Sequence, residues 1–147
     1  MVQNSSNEPE LRTISHSGKT LAILVSIADV PEGLNFVTDD SSFLQVGTWR
    51  YDSGKLLPPH IHNLGVKREV DRTQEVIYVA RGRLRAKIFS EEGEKIEDLE
   101  LTRGDILVLL GGGHGYDILD DRTQVLEVKN GPYIGPELDR HRIRESA

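Results

Sequence analysis

Four residues carry the clearest chemistry in this chain. His60 and His62 close the stretch Gly54-Lys-Leu-Leu-Pro-Pro-His60-Ile-His62, Glu75 follows thirteen residues later, and His114 stands far downstream at the end of an apolar run. Three imidazoles and a carboxylate are a natural ligand set for a divalent transition metal. His60 and His62 are two apart, so on an extended strand both rings point the same way and meet one ion without bending the backbone. Glu75 opens the run Val76-Ile77-Tyr78-Val79-Ala80 and would offer its carboxylate from the start of a strand. Such an ion keeps positions open for water or substrate. It could polarise a carbonyl, lower the pKa of bound water or template a reaction. Iron, manganese, nickel, cobalt and zinc all suit these donors. The plainer alternative is an ancestral site that no longer binds metal.

Other side chains could serve the same chemistry. Glu127 and Lys129 share one face of an expected strand. They are either a surface ion pair of little energetic weight or a polar pair that orients a substrate. Tyr116 is an acid or hydrogen-bond donor by type. These three are the catalytic candidates. Lys67, Arg68 and Arg72 lie between the histidine pair and Glu75, either as a solvated loop or as a grip for an anion. Gly111-Gly112-Gly113 lacks the lysine and hydroxyl of a phosphate loop, so its simpler task is to let the backbone pass tightly and aim His114 inward. Trp49 and Tyr51 share a face and read as core or rim packing rather than as a sugar platform. His16 and His141 read as ordinary solvated or packed residues.

Strands must position these groups. Thr20–Ile27 reads as a strand buried on both faces, Phe43–Tyr51 as a loosely alternating one, and Val76–Ala80 as a third. Arg83–Phe89 alternates strictly, with Leu84, Ala86 and Ile88 on one face and Arg83, Arg85 and Lys87 on the other. Lys95–Leu101, Ile106–Leu110 and Gln124–Lys129 complete the set. Pro31-Glu-Gly-Leu-Asn35 and Asp39–Ser42 carry turn chemistry, and Pro58-Pro59 forces an extended entry into the histidine pair. Gly131–Pro136 suits neither strand nor helix. Many short strands between turn signals indicate an all-β sandwich or barrel. One domain is expected: a flexible tail over 1–12, a barrel over 13–135 and a charged segment over 136–147 that forms a short helix or a tail.

Composition narrows the function classes. With 147 residues and 29% charged side chains, the chain is long enough to bury a core. A net charge of −6 argues against nucleic acid as the main partner. The absence of cysteine excludes disulfides and cysteine-rich zinc sites. No apolar stretch is long enough to span a membrane as a helix, and the N-terminus lacks a signal pattern. A cytoplasmic location is therefore the expectation.

The spacing Gly54-x5-His60-x-His62, then Glu75-x6-Gly82, resembles the first motif of the cupin superfamily. The loop between His62 and Glu75 is longer, with twelve residues where the family has three or four. Gly104 to His114 is similar to the second motif, with one residue fewer and without its proline and asparagine. The resemblance implies a double-stranded β-helix, a jelly-roll barrel enclosing one metal and one small ligand. His60, His62, Glu75 and His114 would hold the ion. It also implies a homodimer, by analogy. Thr73–Val79, Gly113–Asp117 and Glu127–Tyr133 look like small bacterial cupins associated with surface polysaccharide and sugar-nucleotide synthesis. The expected function is a metal-dependent enzyme, isomerase, epimerase or dioxygenase, acting on a small polar metabolite such as a sugar derivative. The alternatives are a non-catalytic ligand-binding shell and a metal-free sugar-nucleotide isomerase with histidine as general base.

Overall fold

A computed structural model describes residues 10–145. Ten strands run through it: β1 (Arg12–His16), β2 (Lys19–Ser26), β3 (Gly33–Phe36), β4 (Gly47–Arg50), β5 (Glu75–Arg81), β6 (Arg83–Phe89), β7 (Lys95–Thr102), β8 (Asp105–Leu109), β9 (Gly113–Ile118) and β10 (Gln124–Lys129). A 3-10 turn at Ile27–Asp29 and one helical turn, α1 (Pro136–Asp139), are the helical elements among the described residues. The protein is all-β. The tail expected over 1–12 lies outside the described residues as far as residue 9, and Arg12 already belongs to β1.

Every pairing is antiparallel. Five strands form one sheet in the order β1-β2-β8-β5-β10, three form a second in the order β7-β6-β9, and β3-β4 is a separate ribbon. The chain passes between the two larger sheets from β5 to β6, from β7 to β8, from β8 to β9 and from β9 to β10.

The core follows from strand parity. Successive side chains of a strand point to opposite faces. Ile77 and Val79 of β5, with Leu107 and Leu109 of β8, join Leu84, Ala86 and Ile88 of β6 and Leu99 and Leu101 of β7 in one apolar cluster. This cluster fills the space between the sheets. Leu84, Ile88, Leu99, Leu101 and Leu107 are fully buried, and each such side chain stabilises the fold by about 1.5–3 kcal/mol. Alternate residues of β2 and β8 feed a second cluster on the outer face: Ile23, Val25, Ile106 and Val108, covered by Val30, Val37 and Val46. A sheet buried on both faces needs continuous apolar runs, which explains Ile106–Leu110 and Val76–Ala80. The cations of β6 face outward into carboxylates, Arg83 to Asp120 and Glu100, and Lys87 to Asp117 and Glu145.

Two loops depend on glycine. Gly82 (φ +81°) makes the β5–β6 turn so close to Thr123 that a Cβ would collide with its backbone and side chain. Gly112 (φ +70°) passes so near the Phe89 carbonyl that a side chain has no room. The tight passage expected of the triple glycine is present, and it delivers His114 to β9.

Several expectations change. The strand expected over Phe43–Tyr51 is confined to Gly47–Arg50. The turn-like Pro31–Asn35 contains the start of β3, and β1 and β9 were unforeseen. Residues 51–74 form no strand, so His60 and His62 do not stand on a ladder. A strand forms only when a neighbouring strand takes its hydrogen bonds, and among the described residues no strand pairs with this stretch. Pro136, placed in an irregular stretch by sequence, opens α1, where its missing N–H costs nothing.

Candidate functional site

β9 and β10 are edge strands of the two facing sheets. Directly opposed residues of an antiparallel pair share a face. On β10, Glu127 lies opposite Ile77 and Lys129 opposite Glu75. On β9, His114 lies opposite Ile88 and Tyr116 opposite Ala86. Since Ile77, Ile88 and Ala86 belong to the central cluster, five polar side chains share its face at this edge. Glu75, His114, Tyr116, Glu127 and Lys129, all singled out from sequence, are thus brought together. At the opposite edge Arg12 of β1 is paired with Glu97 of β7, an ordinary bridge between the sheets.

Glu75 is the centre of the group. Its residue exposure is only 6%. The His114 Nε2 lies 2.9 Å from its Oε2. That contact is not aligned as a hydrogen bond, so Oε2 is a buried acceptor without a directed donor. Lys129 Nζ lies 4.0 Å from Glu75 Oε1 and 4.0 Å from Glu127 Oε1. The His114 imidazole, aided by Lys129 and Glu127, outweighs burial and holds the Glu75 carboxyl below the usual carboxylate range. Tyr116 packs 5.6 Å from the His114 ring, centroid to centroid. Its hydroxyl is buried and has no hydrogen-bond partner among the described residues. Burial first, then the charges of Glu75 and Glu127, push the phenol well above its ordinary pKa. It is therefore a neutral donor across the physiological range.

His60 and His62 are exposed, with their rings 4.9 Å apart in an edge-to-face arrangement. They do not join Glu75 and His114. Among the described residues no three side chains of metal-binding type converge. The donor types, three imidazoles and a carboxylate, suit a transition metal, and of these four the fold brings together the buried Glu75 oxygen and the His114 nitrogen. Of the loop cations, Arg72 is tied to Asp71 at 3.1 Å and to Glu91 at 3.4 Å, which favours the solvated-loop reading for it. Lys67 and Arg68 are exposed. Trp49, 61% exposed, is not core packing; it faces outward with Leu34 and Phe36 from the β3–β4 ribbon and touches Tyr51 at a ring separation of 6.0 Å.

Sequence reasoning missed the pair that anchors the site. Gln74 is buried; its Oε1 accepts from Leu44 N at 2.9 Å and its Nε2 donates to Leu110 O at 3.2 Å. Its backbone N donates to Asn130 Oδ1 at 2.7 Å, and Asn130 Nδ2 donates to Arg72 O at 3.3 Å. Glu75 follows Gln74, Lys129 precedes Asn130, and Leu110 leads into the turn before His114. One amide cluster therefore ties the three segments that deliver the site. Its only signal in sequence is two amides flanking expected strand ends. No helix among the described residues is long and apolar enough to cross a membrane. No family model, curated protein or solved structure matches this chain.

Proposed function

We propose that the chain is a cupin-like double-stranded β-helix that binds a divalent transition metal and a small polar metabolite between β9 and β10, and that it acts there as an enzyme. The observation that carries this reading is the buried Glu75 carboxylate in 2.9 Å contact with His114, beside the unpartnered Tyr116 hydroxyl. Unsatisfied buried polar atoms are costly and persist where a ligand supplies the missing partner. Two facing antiparallel sheets with repeated crossings support the barrel form. Glu75, His114, His60 and His62 would hold an iron, manganese, nickel, cobalt or zinc ion, with the 55–62 stretch laid along the free edge of β9. When bound, the ion would supply Lewis-acid polarisation of a carbonyl or hydroxyl, as in an isomerase or epimerase, or an oxygen site, as in a dioxygenase. Tyr116 would donate a hydrogen bond to the substrate, and Glu127 would accept or return a proton at the solvent side.

Metal content by plasma mass spectrometry tests the reading. Protein purified without chelator or nickel resin is compared with a His60→Ala, His114→Ala variant. About one equivalent of one metal, lost in the variant, supports the proposal. No metal in either, with unloaded protein unable to take any up, sinks it.

A second reading is favoured by the separation of His60 and His62 from the other donors. His114, oriented by Glu75, would act as general base, and Tyr116, 5.6 Å away between ring centroids, as the acid. A sugar nucleotide or a similar carbonyl-bearing metabolite would be isomerised without metal. This version predicts that His114→Ala abolishes turnover while His60→Ala leaves it intact; equal losses would refute it.

A further inference from the structure

Lys129 holds an unusual position for a residue expected to meet substrate. It is paired in register with Glu75 across β5 and β10 and faces the same side. Its ammonium lies at the same 4.0 Å from the Glu75 and Glu127 carboxylates. Glu75 has an 8% exposed side chain and Lys129 a 31% exposed one, so the ammonium reaches in from solvent over a buried anion. Tyr133 offers it a seat further out, with the ring centroid 5.9 Å from Nζ, a distance at which an aromatic face attracts a cation.

We infer that Lys129 is a built-in counter-cation, whose ammonium takes the place of a metal ion beside Glu75 and must withdraw when one binds. This rests on the reading of Glu75 as a metal ligand. A buried carboxylate without a neighbouring charge is costly; beside the 2.9 Å contact with His114, the lysine is the fixed positive charge that faces it while no ion is present. A divalent cation and an ammonium beside one carboxylate repel each other strongly. Metal entry therefore drives Nζ toward Glu127 and Tyr133, both already within its reach. The lysine keeps the empty site folded and lowers the affinity for metal, so the site discriminates against weakly bound cations.

The test uses the full chain, stripped with chelator and titrated calorimetrically with Mn(II), Ni(II) and Zn(II). Lys129→Met keeps length without charge and Lys129→Arg keeps charge. The methionine variant should bind the preferred ion about tenfold more tightly, a typical size for coupling between two sites, while the arginine variant stays near wild type. Melting temperatures give a second readout: without metal the methionine variant melts below wild type, and saturating metal raises it by more. Wild-type binding with an unchanged or weaker methionine variant would overturn the counter-cation and leave the metal reading standing. Binding of no ion by any form would overturn both.

Discussion

Replacing Gln74 with leucine tests whether the amide cluster holds the site together. The side chain makes two hydrogen bonds, from Leu44 N at 2.9 Å and to Leu110 O at 3.2 Å. Leucine fills similar volume and makes neither. The Leu110 carbonyl is left in a buried setting, where an unsatisfied group costs about 1–3 kcal/mol. Leu44 N is only part-buried, so water recovers some of its loss. The extra apolar burial of leucine offsets roughly 1 kcal/mol. A net loss of about 2 kcal/mol follows, with about 4 kcal/mol as the upper end. For a chain of this size each kcal/mol shifts the melting temperature by about 2–4 °C, so the expected fall is about 4–16 °C. Thermal unfolding measures that fall, and urea unfolding at pH 7, with the slope compared between variants, measures the free-energy loss. Asn130→Ala should also destabilise, and the double variant should lose less than the two separate losses added together, because both residues clamp the same strand ends. A Gln74→Leu variant within about 0.5 kcal/mol of wild type, the range of ordinary surface changes, would refute the clasp.

Two further outcomes follow from the site. The Glu75 carboxyl is held low by His114 first, then by Lys129 and Glu127. A depressed folded pKa means that this stabilisation is fully present above the unfolded carboxylate pKa and is lost as pH falls through the folded value. Denaturant unfolding from pH 7 downward should show stability falling in the acidic range, with a shallower fall in Glu75→Gln; identical slopes would remove Glu75 from the balance. Tyr116→Phe deletes a buried hydroxyl that has no partner. It should leave stability unchanged or raise it by up to about 1 kcal/mol, and under the proposed function it should weaken substrate turnover. A clear fall in stability would show that the hydroxyl has a partner in solution.

Much of the fold was legible because burial writes itself into alternation. β2, β5, β6, β7 and β8 all carry buried aliphatic residues at the parity or density that packed sheets require, whereas β10, also foreseen, packs only Val125 on the core and leaves Leu126 and Val128 exposed. The three unforeseen strands lack that signal for separate reasons. β1 contributes a single buried aliphatic, Ile14. β3 starts inside turn chemistry, and the ribbon it forms with β4 turns Leu34, Phe36 and Trp49 toward solvent, the reverse of the usual pattern. β9 reads Gly-His-Gly-Tyr-Asp-Ile, so two of its inward positions hold His114 and Tyr116 instead of aliphatics. The site itself erased the periodicity by which its strand would have been found.

The same logic separates the parts of the site that could be read from those that could not. Strand parity alone puts Glu127 and Lys129 on one face, and Glu75 on the face of Ile77. Strand order, which brings β9 and β10 to the same edge, is a property of long-range pairing that no local pattern encodes. His60 and His62 mark the limit most clearly. Their spacing asks for a strand, and Pro58-Pro59 favours the extended backbone a strand needs. Yet the stretch has no partner, while Leu56, Ile61 and Leu64 stand at least 83% exposed. Among the described residues nothing pairs with the outer edge of β9 beside His114. An unpaired strand edge is a liability alone, and an irregular segment that became extended beside it could pair with it. Pairing would satisfy backbone groups on both, and ligation of a shared ion would supply the part of the ordering cost that a twenty-four-residue irregular stretch demands. If the proposed ion binds, the histidine motif would specify a destination, and the energy that takes the chain there would come from the ligand and not from the segment's own packing.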